Sequence, residues 1–308
     1  MNLYSRRSLL AAAACLPAAP LAAEDGRRAF QRAQVADHAG EKVVFSRGDR
    51  TLFEYRYTGT RPKTYVHPLY APNGAPISQD SPADHVHHRG LMLAWSDVKG
   101  FDFWGEANTD APHGRIVHRR FEKFGYTRGH TPGFVELNDW IAGGKVLVME
   151  RRTLRAPDID PDATWLEWES ELRAAEGRVA LSAQGHPYDG LGIRFVASMD
   201  RGSVLNSNRT STIEAANGEA AHWCAYTGSL GTGSCTVAIF NAPANPRHPA
   251  PFFVMNTPFG YLSAAPTFKQ PLLLANRSFV RLKYAVAVWN GQPDRETLDK
   301  AFRRWSGK

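Results

Sequence analysis

The sequence predicts an all-β protein, a sandwich or barrel of many short strands. Two observations carry this. Hydrophobicity alternates with period two along most of the chain, and Gly- and Asn-containing turns interrupt it at short intervals. Phe53, Tyr55 and Tyr57 alternate with Glu54 and Arg56. Successive strand side chains point to opposite faces, so this pattern reads as a half-buried strand. Further strands are expected at 145–152 (with Val146 and Val148), 165–171, 178–184, 191–197, 236–240 and 280–288. Asn73-Gly74, Gly143-Gly144, Asn217-Gly218 and Asn290-Gly291 mark turns between them. No linker or repeat divides the chain, so one large β-sandwich domain is expected. Only the C-terminus reads as a helix. Asp294 can cap it, and Leu298, Ala301, Phe302 and Trp305 fall on one face, which should pack outside a sheet.

Residues 1–23 read as a signal peptide. Arg6-Arg7 precede an apolar run at 9–16 and an Ala/Pro-rich stretch at 17–23. Ser5-Arg6-Arg7-Ser8-Leu9-Leu10 has the twin-arginine form, which implies export of a folded protein to the periplasm or beyond. Residues 24–308 would then be the mature domain. Cys15 is a poor lipidation candidate, because no large aliphatic residue stands three places before it. No later apolar run approaches the roughly 20 residues of a membrane-spanning helix. Loss of Arg6 and Arg7 lowers the formal charge from +7 to +5. That charge is dispersed, and no basic block suggests a nucleic-acid partner. Two cysteines remain, Cys224 and Cys235, around a Gly/Ser/Thr stretch. Either they face each other across a hairpin as a disulfide, or both are buried thiols.

The segment Asp84-His85-Val86-His87-His88-Arg89-Gly90 holds three of the eleven histidines in four positions. It should leave a loop and enter a buried strand at 91–95. In an extended chain His85 and His87 share a face, where two imidazoles could hold a divalent transition metal. A third ligand would come from His113, His118, Glu106 or His186. The metal-binding His-x-His of cupins is followed by a Glu, whereas Leu91, Met92 and Leu93 stand here. Satisfied structural histidines are the alternative. Arg89 offers a fork of donors for a ligand, or a salt bridge. Phe101, Asp102, Phe103, Trp104 and Glu106 follow, aromatic rings beside carboxylates, which suits a sugar; most of these rings could equally be core. A second cluster is His186-Pro187-Tyr188-Asp189-Gly190-Leu191-Gly192-Ile193-Arg194, whose glycines permit close approach of backbone. A third joins His222-Trp223 with Arg247-His248-Pro249.

Taken in order, these segments resemble the PmoA-like domain family. The matching residues are His67-Pro68-Leu69-Tyr70-Ala71-Pro72-Asn73-Gly74, His87-His88-Arg89-Gly90 with Trp95 and Phe103-Trp104, Tyr188 to Phe195, and Ala238-Ile239-Phe240 with Asn245 to Pro249. The likeness spans about Val43 to Trp289. It implies a galactose-mutarotase-like supersandwich or a jelly-roll-like fold, in proteins of bacteria that degrade plant polymers. The family's methane-oxygenase label does not suit a chain without a spanning segment, and the resemblance carries over no catalytic residue.

The leading expectation is a carbohydrate-active enzyme, epimerase-like or cleaving keto-glycosides. His87, His88 and His186 would serve as acid and base, with Glu106, Asp102 or Asp189 as partner. Arg89, Trp104, Tyr188, Arg194, His222, Arg247 and His248 would bind substrate. Two alternatives are a metal-dependent oxygenase or hydrolase built on His85 and His87, and a periplasmic sugar-binding protein without catalysis.

Overall fold

A computed structural model describes residues 31–106, 111–182, 187–231 and 233–307. Residues 1–23, expected to be a signal peptide and including Cys15, lie outside the described residues, as does His186. Gln31–Lys308 form one compact unit.

Each expected strand has a counterpart, although 191–197 ends at Arg194, ahead of the 3-10 turn Ala197–Met199, and 183–184 lie outside the described residues; period-two burial explains how they assemble. In Arg50–Arg56, Phe53 and Tyr55 are fully buried while Glu54 is not. The strands form two large sheets, with every pairing antiparallel. In spatial order the nine-stranded sheet runs Ala33–His38, Lys42–Arg47, Arg50–Arg56, Tyr65–Leu69, Leu91–Ala94, Gly190–Arg194, Tyr261–Ala264, Ala250–Met255 and Ala220–Ala221. The eight-stranded sheet runs Ser203–Asn206, Trp223–Ser229, Ser234–Asn241, Val280–Asn290, Ala163–Ala174, Lys145–Arg155, Pro132–Ala142 and Arg115–Tyr126. A small third sheet joins Leu272–Ala275, Arg178–Ser182 and Asp97–Val98.

The two large sheets bury one continuous core between them. Phe53, Tyr55, Leu91, Leu93 and Ile193 from one sheet share it with Phe134, Trp140, Leu166, Trp168 and Val286 from the other. The fold is therefore an all-β sandwich. Gly143 and Gly144 make the two-residue turn from Pro132–Ala142 into Lys145–Arg155. Both have positive φ, +56° and +73°, as a twist-matched hairpin turn requires.

The eight-stranded sheet is apolar on its outer face as well. There Trp165, Trp223, Phe240 and Trp289 meet Leu298, Ala301 and Phe302 of the C-terminal helix Arg295–Ser306. The Asp294 side chain accepts from Thr297 N at 2.8 Å and caps this helix.

The cysteines do not pair. Cys224 lies opposite Ile239 and Cys235 opposite Gly228, so their register holds them apart on neighbouring strands. Both are buried free thiols. Burial pushes the Cys235 thiol up to about 12 and Cys224 higher still, so both stay protonated and unreactive.

Candidate functional site

The central strands of the nine-stranded sheet build the floor of the site. Gly190–Arg194 pairs with Leu91–Ala94 on one side and with Tyr261–Ala264 on the other. Leu91, Leu93, Leu191, Ile193 and Leu262 point into the sandwich core. Their alternates Met92, Gly192, Arg194 and Tyr261 therefore lie on the opposite face, continued by Phe253 and Met255 of the next strand. On this face lies a cavity of about 250 Å³ lined by His85, His87, His88, Trp104, Tyr188, Phe253, Met255, Pro258, Phe259 and Tyr261.

Gly192 has a steric reason to be glycine. A Cβ there would stand 2.0 Å from Tyr261 Oη and 2.7 Å from its Cζ. The bare backbone lets the Tyr261 ring lie flat on the sheet. Gly192→Ala should push that ring into the cavity and destabilise the protein by about 1–3 kcal/mol, the usual cost of overpacking. A melting curve that matches the parent's would show that the ring is not held there.

The histidine segment is a turn and not an extended strand. His85 N donates to Pro82 O at 3.0 Å, His88 N to His85 O at 2.9 Å, and Ser81 N to His88 O at 2.8 Å. This folds all three imidazoles together instead of splitting them between two faces, which corrects the extended reading. His85 and His88 stack with centroids 4.7 Å apart, and His87 lies 4.7 Å from His88 and 5.5 Å from His85. Burial, reinforced by Lys63 and His85, brings His87 down to about 4. Burial and the neighbouring His87, His85 and Arg194 take His88 down to about 2. Both rings are thus neutral at physiological pH. Both can serve as hydrogen-bond partners and His87 as a base, but neither rests as an imidazolium acid, which corrects the acid half of the expected pair.

Arg194 reaches the turn from the floor. Its Nη1 lies 3.2 Å from His88 Nδ1, its Nη2 donates to Asp84 Oδ2 at 2.9 Å, and its Cζ sits 3.6 Å from the centroid of Phe259. His85 Nδ1 also lies 3.1 Å from Asp84 Oδ2. Partial desolvation opposes ionisation of Asp84, but the hydrogen bond from Arg194 and the adjacent His85 ring hold it at about 2.

Behind the turn is a buried ion cluster. Glu106 accepts from Arg89 Nε at 3.0 Å and Nη2 at 2.6 Å, and Lys63 Nζ stands 3.1 Å from its Oε1. Arg89 also reaches Asp80 at 3.3 Å and the Ser81 hydroxyl. Lys63 Nζ donates to the carbonyl of Trp104 at 2.5 Å and of His87 at 3.4 Å, fixing two cavity residues through their backbones. Desolvation favours the neutral acid, yet Lys63 and Arg89 outweigh it and keep Glu106 a carboxylate. Glu106 and Arg89 satisfy each other, so Glu106 is not a free base, contrary to expectation, and of the two readings of Arg89 the salt bridge is the one observed.

Asp189 is also corrected. It is fully buried, and its Oδ2 accepts from Ser96 N at 2.6 Å and Ser96 Oγ at 2.7 Å. Burial pushes its carboxyl up to about 8, so it clamps the sheet floor as a largely protonated acid. Tyr188, beside it, does line the cavity. Its ring packs 5.0 Å from Trp104, and burial with nearby Asp189 and Asp102 takes its phenol to about 12.

The remaining candidates lie elsewhere. His222 Nδ1 is 2.9 Å from His248 Nε2, and His222 stacks on Phe302 of the C-terminal helix. Arg247 donates to the carbonyls of Pro266, Gln270 and Pro271 and so ties loops together. None of these three lines the cavity. His118 pairs with Glu136 at 2.6 Å on the opposite sheet. Among the described residues, no group of three or more His, Cys, Asp and Glu is placed to hold a metal ion.

Sequence reading missed Lys63, Phe253, Met255, Pro258, Phe259 and Tyr261. Only the alternation through Phe253 and Met255 could have hinted that a second, non-core face was apolar.

The sequence profile of a family described as "Family of unknown function (DUF6807)" matches residues 42–303. The chain belongs to this family. No curated protein matches its sequence. Among solved structures the chain is similar to one described as "Putative kojibiose phosphorylase from human microbiome", at 9% identity and a TM-score of 0.37. The likeness covers 91% of this chain but 37% of that one, so this DUF6807 protein spans little more than a third of its length.

Proposed function

We propose that this DUF6807 protein is an exported carbohydrate-active enzyme whose cavity takes a single sugar ring. The observation that carries the reading is the lining itself, five aromatic side chains facing three imidazoles, two of them held neutral. Aromatic faces pack against the C–H faces of a sugar, and neutral imidazoles exchange hydrogen bonds with its hydroxyls. Typical small-molecule pockets start at about 300 Å³, so a cavity of about 250 Å³ fits a ligand of one ring better than an oligomer.

Among the described residues no carboxylate lines the cavity. Hydrolysis by a carboxylate pair needs two acids about 5–9.5 Å apart across the scissile bond. Proton abstraction by a neutral imidazole, as in epimerisation or in cleavage beside a sugar carbonyl, suits the lining better. His87 is the base in this reading. Export by the twin-arginine route and kinship with PmoA-like proteins belong to the same proposal and rest on the sequence motifs alone.

The test is calorimetric titration with monosaccharides, methyl glycosides and their keto derivatives, followed by product analysis. At least one compound should bind and turn over. His87→Ala should lower turnover by roughly 100-fold or more with little change in melting temperature. Turnover should persist down to about pH 5 and fall as His87 takes up a proton near 4. Binding without turnover would select a sugar-binding protein instead. One equivalent of transition metal in protein never exposed to chelator, lost in His87→Ala, would select a metal enzyme.

A further inference from the structure

We infer that Arg194 is a positioning residue that locks His88 in one tautomer, with its proton on Nε2, and so gives the cavity a fixed hydrogen-bond donor. The reason is the one-way chemistry of the guanidinium. Arginine carries only N–H donors and no acceptor. Its Nη1 lies 3.2 Å from His88 Nδ1, so Nδ1 must accept with its lone pair. A neutral imidazole bears one proton, which is then on Nε2.

The lock is braced on three sides. Asp84 holds Nη2 at 2.9 Å, the Phe259 ring lies 3.6 Å from Cζ, and His85 stacks on the His88 ring. Arg194 itself is nine-tenths buried or more and stands opposite Tyr261 in the sheet, so its approach to His88 is set by strand register and not by a loop. A guanidinium against Nδ1 also opposes protonation of the ring, in line with the strongly lowered affinity of His88 for a second proton.

The consequence divides the labour between adjacent histidines. His88 can donate to a ligand oxygen but offers no lone pair on Nε2, so it is neither a base nor an Nε2 metal ligand. The base of the reading above stays with His87, and His88 takes the donor role. The ligand must place an acceptor oxygen, a hydroxyl or a carbonyl, against His88, while a cationic amine would meet a donor. This consequence for the ligand rests on the sugar reading above; the tautomer does not.

Long-range ¹H–¹⁵N NMR of the imidazoles in the unliganded protein separates the two claims. His88, assigned through His88→Gln, should show a protonated Nε2 and an unprotonated Nδ1 at pH 7. In Arg194→Met the two nitrogens should move toward the averaged shifts of a tautomer mixture, and Arg194→Lys, which keeps a donor, should restore part of the parental pattern. A purely structural Arg194 would leave the tautomer unmoved. A parental His88 with its proton on Nδ1 overturns the proposal without any Arg194 variant, so the test stands even if Arg194→Met fails to fold. If the tautomer is as stated, whichever methyl glycoside binds the parent should bind Arg194→Met about tenfold more weakly, the loss of one oriented hydrogen bond. If no glycoside binds the parent, the sugar reading fails and the tautomer assignment remains.

Discussion

Glu106→Ala should destabilise the protein by about 3–5 kcal/mol, because removing one partner of a buried ion cluster leaves the others uncompensated. Lys63 is 1% exposed and Arg89 8%, and Glu106 is the carboxylate that both touch. Asp80 would remain to Arg89 at 3.3 Å, but Lys63 would face only carbonyls and the sulfur of Met92. The lost cluster also fixes the backbone of His87 and Trp104, so ligand binding should weaken with stability. On activity alone this variant would resemble the loss of a catalytic acid. Glu106→Gln distinguishes the two. It keeps the acceptor oxygen and removes the charge, and should lower the melting temperature by several degrees while retaining measurable turnover. A Glu106→Gln protein that melts like the parent, yet has lost turnover by 100-fold or more, would restore Glu106 to the chemistry and sink the structural assignment.

The contrast shows what the sequence could and could not convey. Strand periodicity is local, so the strands around Phe53, Val146 and Val286 were legible residue by residue. The strand Arg115–Tyr126 was not. It is an edge strand whose Arg, Lys and Glu side chains are exposed, the usual guard against edge-to-edge pairing, and it lacks the clean alternation of a half-buried strand. The histidine segment drew attention by composition, but its conformation depended on backbone hydrogen bonds within a turn that composition does not encode. The opposite wall, Phe253, Phe259 and Tyr261, comes from more than 160 residues along the chain and reads as ordinary core. Lys63 in a polar loop reads as a solvated charge; its burial is intelligible only once Glu106 stands beside it. Glycine carried a partial signal. Gly192 reads as a point of close approach to the backbone, and what approaches it is the Tyr261 ring.

The second large effect is expected in the sandwich core and reaches the same cavity. Arg152 is fully buried. Its Nε and Nη2 each donate to Glu150 at 2.7 Å, and its Nη1 donates to Tyr55 Oη at 2.9 Å and Thr64 Oγ1 at 2.5 Å. Its Cζ also lies 4.4 Å from the Trp168 ring. Arg152→Met should therefore cost about 3–5 kcal/mol, since Glu150 would keep its charge with only the neutral donors Trp140 Nε1 and Ser170 Oγ beside it. In a protein of this size that corresponds to a fall of roughly 10 °C in melting temperature. Adding Glu150→Gln removes the stranded charge and keeps one acceptor oxygen for Trp140 Nε1, while its NH2 can donate to the Ser170 hydroxyl, so the double variant should regain about half of the loss or more. Strictly additive losses would mean that the two residues do not stabilise each other. Thr64 gives this network a bearing on the site, because its neighbour Lys63 holds the carbonyls of Trp104 and His87. Arg152 ties that segment to the opposite sheet. Arg152→Met should thus weaken ligand binding without touching the cavity, and the Arg152→Met/Glu150→Gln protein should recover stability more fully than affinity, because neither new side chain reaches Thr64 as the guanidinium does.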